Sequence, residues 1–187
     1  LLDRYYINTQ NKEWIIYTTS DFKNPKTVLP YPNIKNHLDK FVKVITSDNK
    51  PYGLHRCREE RFFKGQKIIS LRKCIKPTFI YSDDDCYLSA AFYIIKTDRV
   101  NLKYLTALLN SALIKFWLKH SGKMQGNIYQ VDKEPLMQIP LMETDKETEN
   151  RIVSLVNEML EAKKQLQTVK TDRDKTYYEN KCADLDH

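Results

Sequence analysis

The segment Leu108 to Leu141, reading LLNSALIKFWLKHSGKMQGNIYQVDKEPLMQIPL, constrains the fold more than any other part of the chain. Leu105, Leu108, Leu109, Leu113, Phe116 and Trp117 recur at spacings of three and four, which places apolar side chains on one face of a helix. The spacing predicts a buried helix from about Leu102 to Lys119. Its polar run-out, Lys119, His120, Ser121, Gly122, Lys123, Met124, Gln125, Gly126 and Asn127, holds two of the chain's four glycines, and Ile139-Pro140-Leu141 beyond it reads as a short strand. The donors of the run-out suit phosphate oxygens or base edges. An ordinary solvated helix end explains them equally well, because the helix dipole favours a lysine there.

Upstream, Tyr5 to Asn8 and Glu13 to Tyr17 read as strands by their aromatic and β-branched content, joined by the turn Thr9-Gln10-Asn11-Lys12. Ile34, Leu38, Phe41, Val42 and Ile45 mark an amphipathic helix after Pro30-Tyr31-Pro32-Asn33. Residues 67–71, 77–81 and 90–96 are strand candidates, with Ser82-Asp83-Asp84-Asp85 as a connecting turn. Short strands and helices so mixed predict an α/β (mixed α+β) domain, not a doubly wound nucleotide fold. After Pro140, Ile152, Leu155, Met159, Ala162, Leu166 and Val169 repeat as a heptad seam. Such a seam needs a partner helix. Tyr177, Tyr178, Cys182 and Leu185 supply one if the chain folds back at Thr171-Asp172-Arg173-Asp174; an intermolecular coiled coil is the alternative. We therefore divide the chain into residues 1–142 and a helical segment, 143–187.

Charge follows this division. Residues 1–142 carry 23 basic and 13 acidic side chains, whereas residues 143–187 carry 8 and 11. Between Lys50 and Lys76 the excess is densest: Lys50, Arg56, Arg58, Arg61, Lys64, Lys67, Arg72, Lys73 and Lys76 oppose only Glu59 and Glu60. Such a cluster neutralises phosphates and predicts salt-dependent binding to nucleic acid, although basic residues also serve simply to solubilise a surface. The four cysteines, at 57, 74, 86 and 182, form no close pair, which fits a reducing cytoplasm. Apolar runs stop well short of the ~18 residues of a membrane span. With glycines only at 53, 65, 122 and 126 there is no dinucleotide fingerprint and no phosphate-cradling loop. Asp83, Asp84 and Asp85 are consecutive, as in a solvated turn rather than a nuclease site, and His55, Cys57, Cys74 and Cys86 lack zinc-ligand spacing. His37 and His120 have no accompanying nucleophile motif. No catalytic residue and no metal site is expected.

A resemblance adds to this reading. Leu109-Asn110-Ser111, Gly122 with Gln125 and Asn127, then Leu136 and Ile139-Pro140-Leu141, in that order, resemble the target recognition domains of restriction-modification enzymes. Two groups share the pattern: specificity subunits of type I systems, and the C-terminal specificity domain of TaqI-like adenine methyltransferases and fused type IIG enzymes. Asp3-Arg4-Tyr5, Tyr31-Pro32-Asn33-Ile34, His37-Leu38, Leu54-His55-Arg56, Arg58-Glu59, Phe62-Phe63, Lys67-Ile68-Ile69 and Arg72 favour the second, so the likeness covers nearly the whole chain. A type I subunit normally carries two such lobes, and this chain has no internal repeat.

The resemblance implies a lobe that reads double-stranded DNA while a methyltransferase domain of the same polypeptide acts on a flipped adenine. S-adenosylmethionine would belong to that domain, and a divalent metal to any fused nuclease; this chain is expected to bind no cofactor and to be no enzyme by itself. The start at Leu1-Leu2-Asp3, without an initiating Met, suggests an excised piece with the catalytic machinery upstream. Candidate DNA contacts are Arg56, Arg58, Arg61, Lys64, Arg72, Lys73, Lys119 and Lys123, with Gln125 and Asn127 as possible adenine readers. Arginine suits bidentate guanine readout and lysine suits phosphate. A rival function is a protein-interaction module acting through the heptad helix.

Overall fold

The β-branched pair Ile68-Ile69 sits at the centre of the first sheet in the computed structural model, which describes residues 5–7, 14–142 and 144–186. Strand β1 (Lys67–Leu71) pairs antiparallel with β3 (Phe79–Ser82) on one side and β4 (Phe92–Ile95) on the other. Successive side chains alternate between faces. Ile68 shares one face with its cross-strand partners Tyr81 and Ile95, while Ile69 shares the other with Ile80 and Ile94. Ile68 and Ile69 are both fully buried, so this sheet spends both faces on core, which explains why its strands read as continuous apolar runs.

Helix α2 (Leu102–Asn110) supplies the core on the Ile68 face through Leu102, Leu105 and Leu109. Its start is set by Asn101, whose side-chain oxygen accepts from the backbone N–H of Lys103 and Tyr104. The single helix expected from Leu102 to Lys119 is two helices. Ser111 ends α2 in extended conformation and caps α3 (Ala112–Ser121) by accepting from the N–H of Ile114. The break turns the apolar stripe. Ile114 and Leu118 enter the core, whereas Leu113 and Phe116 are 72% and 61% exposed, contrary to the expected buried face. Asn110 accepts from the backbone N–H of Phe79 at 3.1 Å and donates to its carbonyl at 2.8 Å, so the Asn-Ser pair both ties helix to sheet and restarts the helix.

The second sheet has the order β2 (Lys73–Cys74), β6 (Ile128–Gln130), β5 (Lys123–Gln125), all antiparallel. Gly122 leads from α3 into it; a Cβ there would stand 2.4 Å from the Leu118 carbonyl oxygen, closer than any side chain tolerates. The Gly/Gln run-out is therefore a β-hairpin rather than a loop. Beyond it come α4 (Lys133–Met137) and an irregular segment in which Ile139 is buried. The strand expected at Ile139-Pro140-Leu141 does not form; Pro140 has no N–H for a ladder.

Helix α5 (Lys146–Leu166) and helix α6 (Asp172–Leu185) form the expected helical hairpin, with Thr171 capping α6 by accepting from the N–H of Asp174. The buried stripe differs from the heptad seam. Val156, Met159 and Ala162 are buried with Cys182, while Leu155 is 42% exposed. The reason is that α5 packs against α2 as well as α6, which turns its inward face between two neighbours. By compactness the described residues form two units, residues 5–7 with 63–142 and 144–186, and residues 14–62.

The second unit is built from turns around α1 (Pro32–Asp39). Val28, Thr18 and Gly53 are buried, and Thr18 joins two segments: its hydroxyl donates to the Tyr52 carbonyl at 2.6 Å and its carbonyl accepts from the N–H of Leu54 at 3.3 Å. Trp14 to Tyr17 carry no strand, contrary to expectation, and Trp14 is 94% exposed. The helix expected to reach Ile45 stops at Asp39 and continues as turns, with Phe41, Val42 and Val44 exposed. Tyr5 forms a lone parallel bridge to Ile80; the turn expected at Thr9 to Lys12 lies outside the described residues.

Candidate nucleic-acid interface

The second sheet has two chemically distinct faces, and its register assigns every side chain to one of them. Tyr129 pairs with Cys74 on one side and Met124 on the other; Tyr129 is buried in the main core and Cys74 packs against that core. Burial raises the Cys74 thiol pKa to about 11, as expected for a group removed from water. The opposite face carries the row Lys73, Gln130, Lys123 and, one step on, the pair Gln125 and Ile128. Lys73 and Lys123 are two strand spacings apart, about 9.5 Å. Both are exposed, and among the described residues neither is ion-paired.

Gly126 and Asn127 form the two-residue hairpin turn. Gly126 has φ +60° and Asn127 does not enter the positive region, the sign pattern of a type II′ turn with glycine first. Asn127 is thus held at the exposed tip. Four expected contacts, Lys73, Lys123, Gln125 and Asn127, separated by up to half a hundred residues in sequence, meet on one ribbon.

Other candidates surround this face or lie elsewhere. Arg72 links β1 to β2; its backbone bonds both sheets, through Ala91 and Val131, and its guanidinium lies 5.1 Å from the centre of the Tyr93 ring. Lys119 occupies the last exposed turn of α3, where the dipole alone also favours it. Lys64 stands 3.3 Å from Asp85 and 5.3 Å from the Tyr87 ring, and the carboxylate beside it holds its ammonium pKa up. Lys67, counted in the basic cluster, is fully buried and donates to the carbonyls of Gly65 and Asp84, so it cannot touch a ligand.

Arg56, Arg58 and Arg61 belong to the turn-rich unit. Arg56 is exposed with φ 50°, a left-handed conformation uncommon outside glycine. The Arg58 carbonyl accepts from the Tyr17 hydroxyl at 2.6 Å, and the Arg61 guanidinium pairs with Glu59 at 2.7 Å.

Gln130 and Asp132 escaped the sequence reading. The signal available was the alternation Ile128-Tyr129-Gln130, which puts Gln130 on the same side as Ile128 once Tyr129 is known to point inward. Asp132 receives the Gln130 amide Nε2 on both carboxylate oxygens, at 3.2 and 3.0 Å.

The second sheet thus presents a basic, amide-bearing ribbon backed by helices. The profile of the TaqI-like C-terminal specificity domain matches residues 2–141, and the chain belongs to that family. It is also similar to the type II methyltransferase M.HindII of Haemophilus influenzae, at 29% identity over 172 residues that cover 79% of this chain and 33% of that protein. A second similar protein is the type II methyltransferase M.HincII of Haemophilus influenzae, 29% identical over 103 residues, 52% of this chain and 20% of that protein. The chain thus spans no more than about a third of the length of these curated relatives.

Proposed function

We propose that this chain is the double-stranded DNA recognition lobe of a restriction-modification methyltransferase, directing adenine methylation by a catalytic domain of the same polypeptide. The observation that carries this reading is the convergence of Lys73, Lys123, Gln125 and Asn127 on the outward side of a ribbon whose inward side is core. A rigid sheet presents donors at fixed spacing, which suits base edges better than mobile surface lysines do. Membership of the specificity-domain family and similarity to type II methyltransferases support the same reading. Residues 1–142 would carry recognition and residues 143–187 the helical support. S-adenosylmethionine would be held by the methyltransferase domain, and the reaction would take place in the cytoplasm, where chromosomal DNA is reached.

Binding is tested by titrating labelled duplexes, cognate and scrambled, at two salt concentrations. Affinity should fall as a power of salt concentration of about −0.9 per phosphate neutralised, with a constant advantage for the cognate site. Equal affinity for both duplexes at either salt would refute sequence recognition and leave only a basic surface.

A further inference from the structure

We propose that Gln130 is a specificity-determining residue that accepts a hydrogen bond from a base amino group, and that Asp132 is the positioning residue that points it. This rests on the DNA-recognition reading above and deepens it. Three observations carry it. Gln130 stands in the middle of the outward row, flanked by Lys73 and Lys123. Its Nε2 is held against both oxygens of Asp132, and turning the amide over would set oxygen against carboxylate, so Oε1 is the atom left to accept from another partner. Lastly, Asp132 stands at the N-cap of α4 yet makes no capping bond, the usual use of an aspartate there. Its carboxylate is spent on Gln130 instead.

The placement is otherwise unfavourable. A carboxylate on a face that meets phosphates weakens binding to every sequence unless it has another use there. Orientation supplies one. An acceptor held in that row welcomes the amino group of adenine N6 or cytosine N4 in the major groove and is repelled by guanine O6 or thymine O4. The ribbon would thereby distinguish amino-bearing from keto-bearing bases at one position, while the flanking lysines hold phosphates or guanine edges.

The test is selection of bound duplexes from a randomised pool by the full-length protein and by Gln130→Met, Asp132→Ala and Asp132→Asn variants. Wild type should show one position at which A or C exceeds G and T by about tenfold, the discrimination expected of a well-placed base contact. Gln130→Met and Asp132→Ala should both lose that preference at the same position and keep the others, while Asp132→Ala binds scrambled duplex more tightly. Asp132→Asn, which retains one oxygen for Nε2, should restore the preference; a merely structural role would flatten all positions together. Variants that match wild type at every position, or that flatten different positions, overturn the Gln130 assignment alone. A wild type that enriches no sequence overturns DNA recognition itself and this inference with it.

Discussion

The two antiparallel sheets are used in opposite ways. Each has three strands, yet β1 and β3 bury residues on both faces, whereas the β2-β6-β5 ribbon buries Tyr129 and leaves Lys73, Lys123 and Gln125 exposed. The centre of the first sheet has no side chain to spare, because Ile68 and Ile69 point opposite ways and both lie inside. The ribbon has a whole face to spare, anchored by a single inward row. On the proposed reading stability and recognition fall to different sheets, and substitutions should separate them.

The largest effect should come from the inner sheet. Phe79→Ala removes a fully buried ring and should cost about 3–5 kcal/mol of stability by transfer and cavity terms. Met124→Ala, on the inward row of the ribbon but 37% exposed, should cost less than about 1 kcal/mol. Urea unfolding monitored by circular dichroism measures both, and equal losses would mean that the ribbon is core after all. Next in size is Asn110→Ala, which leaves the buried N–H and C=O of Phe79 without their side-chain partner and should cost about 2–3 kcal/mol.

This pattern shows what the sequence made legible. Apolar runs announce strands, so Ile68-Ile69, Phe79-Ile80 and Tyr93-Ile94-Ile95 made the candidates 67–71, 77–81 and 90–96 readable, and the strands form within a few residues of them at Lys67–Leu71, Phe79–Ser82 and Phe92–Ile95. The break at Ser111 was not, because three-and-four spacing continues through it; only the side-chain bonds of Asn110 and Ser111 reveal the restart. The ribbon was legible as a polar, glycine-containing run but not as a sheet, since its third strand, Lys73–Cys74, comes from fifty residues upstream and pairs only in three dimensions. Gln130 was missed for the same reason: the identity of its face depends on Tyr129 being buried. The arginines of the turn-rich unit were found by charge alone, and charge does not say whether a guanidinium is already engaged, as Arg61 is by Glu59.

On the ribbon the expected effects move from stability to binding. Arg72→Ala should lower DNA affinity by about 1–3 kcal/mol and relax one base position if it reads a base, or weaken all duplexes alike if it holds a phosphate. Arg61→Ala applies the same test to the turn-rich unit; unchanged binding in both variants would remove them from the interface. Gly126→Ala should cost about 1 kcal/mol, since the turn requires φ +60° there, and should impair binding by displacing Asn127 without touching the inner sheet.

The smallest effect distinguishes how each sheet uses a carboxylate. On the ribbon, Asp132 orients a side chain; beside the inner sheet, Asp85 braces the backbone, accepting from the Gly65 N–H at 2.9 Å and pairing with Lys64. That N–H, and then Lys64, hold the Asp85 carboxyl below the usual carboxylate range. A depressed folded pKa means that the charged form is favoured by folding. Its contribution is therefore present above the ordinary carboxylate pKa of about 3.9 and disappears as pH falls through the lower, folded value. Asp85→Asn imitates the protonated group, so the variant should be slightly less stable than wild type at pH 7 and should converge with it as acidification passes the folded value. Urea midpoints across that range decide the matter: a gap that persists unchanged in acid would mean that Asp85 acts by shape rather than charge.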